Sequence, residues 1–544
     1  MMGYFLKLLV VCSFVVPLVS LASRVGAPVK TTSGTITGQP ARDRAEVSEY
    51  LGIRYAHPPT GTRRFQPPVA LHSEEAVDAF DYSPACPFTS SPPLAYPDKS
   101  ATFDRIYGKF LGGGNKTFSE DCLSLNIWAK NPVPAKLKPV VFFIHGGRFA
   151  IGTANITHYD GQYVADTGEA VMVSINYRMH VLGFSGAPGL TQNTGILDQR
   201  MALEWVRDNI KAFGGDPKRI MLYGQSVGGL SADYHAYAWP DDPIAAGIFS
   251  MSGTAASVQA QTLDMSSQYW YNLSRIVGCP VVGNAVPCMQ KQSWQTLLAG
   301  VRRLSYAPTL AIFQPQFQET ADEVTVFSDY AGRGRAGKFA KVPYLVGNGD
   351  HEAGFYKLTA FATGRRLIEK QWDIFNLQGF TCASRISAEN RLRHGVTTYR
   401  YRYFGDWANL RLYPGSGAYH GADLNMWHGV GQDVSGEPNS ESEDKTSAYM
   451  MKALIAFATD PEDGLSNMGW PKYADPASDK MTHDLYTKAP LFLIPLSDSS
   501  PKTLVRLGYN NETEASFSSP DVYDLPCLAF NGDTKHPVDD NVPD

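Results

Sequence analysis

Short, mostly apolar runs alternate along the chain with longer segments of helical period. Val140 to Ile144, Ala170 to Ile175, Ile220 to Tyr223 and Val342 to Val346 have strand length and little polar alternation, as strands buried on both faces require. Between the second and third, Asp198 to Phe213 sets Met201, Trp205 and Ile210 at roughly helical spacing and stops at Gly214-Gly215, which reads as a crossover helix. The alternation predicts an α/β fold, with a mostly parallel central sheet and helices on both faces. No internal repeat and no long linker divides the chain, so residues 23–544 read as a single domain. Ligands of such sheets bind beyond the carboxyl ends of the strands. The residues that follow each run are therefore the ones to inspect.

One apolar run does not fit the sheet. Lys7 precedes Leu8 to Val19, and Ser20-Leu21-Ala22 follows with small residues where a signal peptidase cleaves; the run is shorter than the roughly 20 residues that span a bilayer. Residues 1–22 are expected to be a secretory signal, cleaved after Ala22. The polar tail from Asn531 to Asp544 offers no lipid-anchor or retention signal, so an exported protein without a stable membrane anchor is expected. Of seven cysteines, Cys12 leaves with the signal, and Cys86, Cys122, Cys279, Cys288, Cys382 and Cys527 remain. An even set in an oxidising compartment predicts disulfides, although counting does not fix their connectivity. Cys279 and Cys288 are close enough to staple a small loop. Sequons at Asn115, Asn155, Asn272 and Asn511 fit the same route. A formal net charge of -5 argues against a nucleic-acid partner, and no Cys-x-x-Cys spacing points to a metal.

The chemistry gathers after the strand runs. Ile220 to Tyr223 breaks into Gly224-Gln225-Ser226-Val227-Gly228, a pentapeptide that turns sharply from strand to helix and leaves the serine hydroxyl projecting. A serine hydroxyl needs a histidine base, and the histidine needs a carboxylate to fix its tautomer. With the order serine, acid, histidine, the loop after Val346 supplies Glu352, with Asp350 as its rival. Gly417 to Asp423 supplies His420, with His428 as its rival. Amides at Gly147, Arg148 and Val227 would then hold an oxyanion.

These motifs occur with others in one order: Gly52-Ile53-Arg54-Tyr55-Ala56 with Arg64-Phe65, Glu120 to Asn126, His145-Gly146-Gly147, Asn176-Tyr177-Arg178, and Asp198-Gln199. Together they resemble the type-B carboxylesterase/lipase family over nearly the whole mature chain. Phe380-Thr381-Cys382 and Tyr399 to Phe404 resemble its secreted fungal members in particular. The resemblance implies an α/β-hydrolase fold, a Ser226, Glu352 and His420 triad, no cofactor and a small-molecule ester substrate. It also implies bonds between Cys86 and Cys122, Cys279 and Cys288, and Cys382 and Cys527. Ion pairs of Arg64 with Glu120 and of Arg178 with Asp198 would be structural, and Ser252 would lie behind the acid.

The expected activity is that of a secreted serine esterase forming an acyl-enzyme. A lipase, a dedicated secondary-metabolite esterase and a non-catalytic binding module are the alternatives. The segment between Cys86 and Cys122 holds no tryptophan, so a choline ester lacks its usual cation-π platform. Val227 replaces the family's usual alanine and would narrow the acyl pocket. Arg148 stands where the family carries glycine: its side chain either reaches solvent or a carboxylate, the commoner fate of an arginine, or lines the pocket mouth and favours acidic esters. Gly332 to Lys338 imitates a phosphate loop, but no strand precedes it and Phe339 replaces the required hydroxyl residue. A surface loop beside a helix is expected there. Phe103, Ile106, Tyr107 and Phe110 have helical spacing and suggest either a lid or simple packing onto the body.

Overall fold

The computed structural model describes residues 24–89, 93–111, 117–130, 136–304, 315–473 and 502–529. The signal at 1–22, Gly112 to Asn115 with its sequon, and the tail from Asn531 lie outside the described residues. The organising element is an eleven-stranded sheet. In chain order its strands are β1 (Gln39–Pro40), β2 (Val47–Arg54), β3 (Ser124–Lys130), β4 (Lys138–Ile144), β5 (Val171–Ile175), β6 (Gly215–Gln225), β7 (Gly247–Met251), β8 (Tyr344–Gly349), β9 (Thr398–Tyr403), β10 (Leu504–Leu507) and β11 (Ser516–Ser518). They lie in the order β11-β10-β9-β8-β7-β6-β4-β5-β3-β2-β1. The centre from β10 to β5 is parallel, while β11 and the β3, β2, β1 edge are antiparallel. This is the mostly parallel α/β sheet that the apolar runs predict.

Alternation along β4 explains why the run is continuously apolar. Val140, Phe142 and Ile144 enter one core with Leu203, Val206 and Leu230, whereas Val141 and Phe143 enter another with Trp427, Leu454 and Phe457. Successive side chains point to opposite faces of a strand, and here helices cover both faces. Helix α1 (Phe103–Phe110) lies in the loop closed by Cys86 and Cys122, α2 (Thr194–Asn209) crosses over between β5 and β6, and α3 (Val227–Ala238) follows β6 directly. The phenyl rings of Phe103 and Tyr107 stack at 5.1 Å, and Phe103, Ile106 and Tyr107 are buried. These three side chains pack onto the body of the fold.

Two local expectations change. Helix α2 begins at Thr194 rather than Asp198 and tightens into a 3-10 turn over Ile210–Phe213. Its first turn packs on the Arg178 turn, where a Cβ on Gly195 would meet the Arg178 carbonyl oxygen at 2.4 Å, and sends Ile196 into the core. The phosphate-loop imitation is not a loop throughout: Tyr330–Arg335 is helical, capped by Asp329, whose Oδ1 accepts from the Gly332 amide at 2.6 Å. An aspartate side chain at that place satisfies a free amide of the first turn.

Disulfides join Cys86 to Cys122, Cys279 to Cys288, and Cys382 to Cys527. Arg64 is held by Glu120 through two hydrogen bonds of 2.6 and 2.5 Å. Arg178 donates to both Asp198 oxygens at 2.7 and 2.8 Å and to the Gln66 carbonyl at 2.8 Å. The second pair is almost completely enclosed, with side-chain exposures of 3% and 0%. Removing one charge from such a pair leaves the other desolvated, at a cost of about 3–5 kcal/mol. Asp198→Asn is therefore expected to lower the guanidinium midpoint strongly. Asp121→Asn, which breaks the exposed pair with Arg54, should cost about 1 kcal/mol or less. Similar midpoints for the two variants would show that enclosure does not set the strength of the Arg178 pair.

Candidate active site

Ser226 sits between β6 and α3 with φ 61° and ψ -129°, a conformation unfavourable to a residue bearing a Cβ. The two glycines around it make the turn physically possible. A Cβ on Gly224 would come 2.4 Å from the Gly228 backbone, and one on Gly228 would come 2.0 Å from the Ile144 carbonyl oxygen. Strand β6, helix α3 and the end of β4 thus touch backbone to backbone. The turn is fixed from outside as well: the Ser226 amide donates to the Met251 carbonyl at 2.8 Å. Val227 occupies the first turn of α3, where amides have no partner within the helix.

The loop after β4 approaches the serine from the other side. A Cβ on Gly146 would lie 2.8 Å from the Ser226 Cβ, so only glycine brings the loop this close. Beyond it Gly147 has φ 115°, and its carbonyl accepts from the Ala150 and Ile151 amides at 3.0 Å each. Arg148 and Phe149 both have positive φ, 57° and 53°. Phe149 is anchored by packing against Phe184, with ring centroids 4.6 Å apart. Arg148 is half-buried.

The acid and base meet across the ends of two further strands. Glu352 follows β8 and precedes a helix over Ala353–Ala362; His420 lies in the loop after β9. His420 Nδ1 donates to Glu352 Oε2 at 2.5 Å, and Oε1 of that carboxylate accepts from Ser252 Oγ at 2.7 Å and the Gly349 amide at 2.6 Å. Both carboxylate oxygens are occupied, so the imidazole is oriented by a rigid acceptor. The two rival residues lie elsewhere. Asp350 pairs with Arg402 at 2.8 Å. His428 is buried beneath the sheet between the His158 carbonyl and the Tyr223 hydroxyl, and burial pushes its pKa down to about 4.

Several neighbours had no role at the site in the sequence reading. The Gln225 amide donates to His420 Nε2 at 3.1 Å, so the ring holds its lone pair at Nε2. Tyr356 sets its ring 5.1 Å from that of His420. It is four residues beyond Glu352, hence on the same helical face, a spacing that carries the signal. Phe380 and Phe355 complete an aromatic wall, with centroids 5.2 and 6.4 Å from His420. Phe110, at the end of α1, packs on Phe355 at 5.0 Å. Asp423 accepts from the Tyr401 hydroxyl at 2.8 Å, and burial followed by the Glu352 charge raises its pKa to about 7.

Not every expected position is equally open. Asn272 and Asn511 are exposed, whereas Asn155 is half-buried and its side-chain amide donates to the Ser83 carbonyl at 2.6 Å.

The chain is similar in sequence to ester hydrolases. The profile of the carboxylesterase family matches residues 26–379. The chain is 30% identical to "Secreted lipase 5" of Gibberella zeae over 91% of its own length and 93% of that protein. It is 33% identical to the "Chlorogenic acid esterase" of Aspergillus niger over 81% of its length and 84% of the relative. The acetylcholinesterase of Electrophorus electricus is 31% identical over 60% of the chain and 52% of that protein.

Asp423 gives a pH prediction. Its carboxyl has an ordinary value of 3.8, raised to about 7 in the fold, so between those values the native state holds a proton that the unfolded chain has released. Stability from this group is complete at low pH, falls as pH rises through that window, and changes no further above it. Relative to Asp423→Asn, the wild-type Tm should fall between about pH 4 and about pH 7 and then level off. Parallel Tm curves for the two proteins would show that Asp423 keeps its ordinary pKa.

Proposed function

The chain belongs to the carboxylesterase family and is a carboxylic ester hydrolase, and from that premise we propose that it works through a Ser226, His420 and Glu352 triad. The observation that carries the reading is the 2.5 Å bond from His420 Nδ1 to Glu352 beside the strained Ser226 turn. With Nδ1 protonated toward the carboxylate, Nε2 is the basic atom. During attack this nitrogen takes the Ser226 proton while Oγ adds to the ester carbonyl. The Gln225 donor must yield Nε2 to the serine hydroxyl as substrate enters, a tightening common between free and occupied sites. Amides of Gly147, Arg148 and Val227 stabilise the oxyanion. The tetrahedral adduct then collapses, and His420 passes its proton to the departing alcohol. Water, deprotonated by the same nitrogen, attacks the acyl-enzyme and releases the acid.

The substrate is a small-molecule ester. Ser226 is only 9% exposed, and the aromatic wall of Phe110, Phe355, Tyr356 and Phe380 suits a compact acyl or alcohol group. We assign residues 23–544 to one catalytic domain, a reading supported by strands from Gln39 to Ser518 entering one sheet. Export is supported by the signal-like residues 1–22, the three disulfides and a relative named as secreted. Among the described residues no helix is long and apolar enough to cross a membrane.

A fluorophosphonate should label wild-type protein and Glu352→Gln but not Ser226→Ala. With p-nitrophenyl acetate, Ser226→Ala and His420→Ala are expected to lose roughly four to six orders of magnitude in kcat, and Glu352→Gln about 10⁴-fold. Asp350→Asn should stay within roughly threefold. A severe loss in Asp350→Asn with a mild one in Glu352→Gln would move the acid to Asp350. Failure of the wild-type protein to take the label would return the non-catalytic alternative.

A further inference from the structure

Arg148 occupies the loop that we assign to oxyanion binding, one residue beyond Gly147 and in left-handed backbone geometry. A positive φ at an arginine is uncommon, and the packed Phe149 beside it holds the conformation. Its guanidinium lies within electrostatic reach of Tyr107 on α1, of Tyr356 and of His180. A Cβ on Gly146, two residues before Arg148, would lie 2.8 Å from the Ser226 Cβ, so the cation is carried by the loop that meets Ser226 and not by a remote surface. Among the described residues no carboxylate pairs with it, unlike Arg54, Arg64, Arg178 and Arg402, each of which has an acidic partner. His180 does not oppose an anion or compete as a second cation, because burial, aided by Arg148 itself, lowers its pKa to about 4.

A half-buried guanidinium with no carboxylate partner among the described residues retains its donors for a ligand. Guanidinium groups bind carboxylates through parallel hydrogen bonds, and partial desolvation strengthens them relative to bulk water. We propose that Arg148 selects esters carrying a second, free carboxylate, holding that group while the ester carbonyl lies on the neighbouring backbone amides. The residue thus combines a backbone contribution to the oxyanion site with a side-chain contribution to substrate choice. This inference rests on the serine-esterase reading above, since it places the selected carboxylate relative to the Ser226 nucleophile.

Two matched substrate pairs test it: p-nitrophenyl butyrate against the p-nitrophenyl monoester of succinic acid, and phenyl butyrate against 4-carboxyphenyl butyrate. The pairs separate a carboxylate on the acyl side from one on the alcohol side. Fluorophosphonate titration gives the active fraction of each preparation, so misfolding is removed from the comparison. In at least one pair, Arg148→Gln should lower the anionic-to-neutral ratio of kcat/KM by roughly tenfold or more, mainly through KM of the anionic ester. Arg148→Lys should recover part of that ratio, and added salt should erode the wild-type preference.

A ratio unchanged within about twofold in both pairs would overturn the inference. Equal losses on neutral and anionic esters would also overturn it and make the cation a general support for the oxyanion. Wild-type protein that takes the fluorophosphonate and hydrolyses butyrate, but shows no Arg148-dependent ratio, sinks only this selectivity. Wild-type protein that neither labels nor hydrolyses any of the four esters removes the catalytic reading beneath it as well.

Discussion

The close approach of three backbones at Ser226 constrains the rest of the site. Gly224 and Gly228 let β6 and α3 contact one another and let the end of β4 press its Ile144 carbonyl into the turn. Gly146 then continues from β4 to reach the serine Cβ. Ser226, the first amide of α3 and the amides of the 146–148 loop are consequently fixed by one contact. A methyl group at any of these glycines would separate them. Strain at the serine persists because the surrounding strands and helix allow no other course for the chain.

Around this contact, several buried charges are held by opposite charges or by hydrogen-bond donors. The Glu352 carboxylate accepts from His420, Ser252 and the Gly349 amide. Arg178 joins Asp198 and the Gln66 carbonyl, tying the turn after β5 to helix α2. Arg391 and Asp233 form another enclosed pair, as do Arg400 and Asp524. Isolated ions in such places would cost several kcal/mol each, so each pair also fixes the relative placement of the segments it joins. Asp423 follows the same rule in the opposite sense. Beside Glu352 and short of cationic partners, it retains its proton to about 7.

Arg148 departs from this pattern in a useful place. Arg64, Arg178, Arg391 and Arg400 pair with acids elsewhere in the chain, whereas Arg148 is half-buried in the loop after β4, within electrostatic reach of Tyr356 and Tyr107. Its neighbours tolerate the charge without neutralising it. A structural arginine and a ligand-binding arginine are distinguished by that difference in partners, not by residue type.

The sequence alone determined the alternation of β4, β5, β6 and β8 with helices, because strands covered on both faces must be apolar throughout. It also marked Ser226, since a sharp turn between a strand and a helix requires the flanking glycines, and it brought Glu352 and His420 into view as polar loop residues in a workable order. Periodicity was silent at the start of α2, where buried Asp198 replaces an apolar side chain and pairs with Arg178. It was equally silent about Gln225 and Asp423, whose environments are made by residues nearly two hundred positions away in one case and by Tyr401 and Glu352 in the other. The family resemblance already favoured Glu352 over Asp350 and His420 over His428; the tertiary structure adds their partners, Glu352 meeting His420 while Asp350 pairs with Arg402 and His428 lies between His158 and Tyr223. Local sequence specifies which groups a loop carries; the packing of strands contributed from distant parts of the chain decides which of them meet.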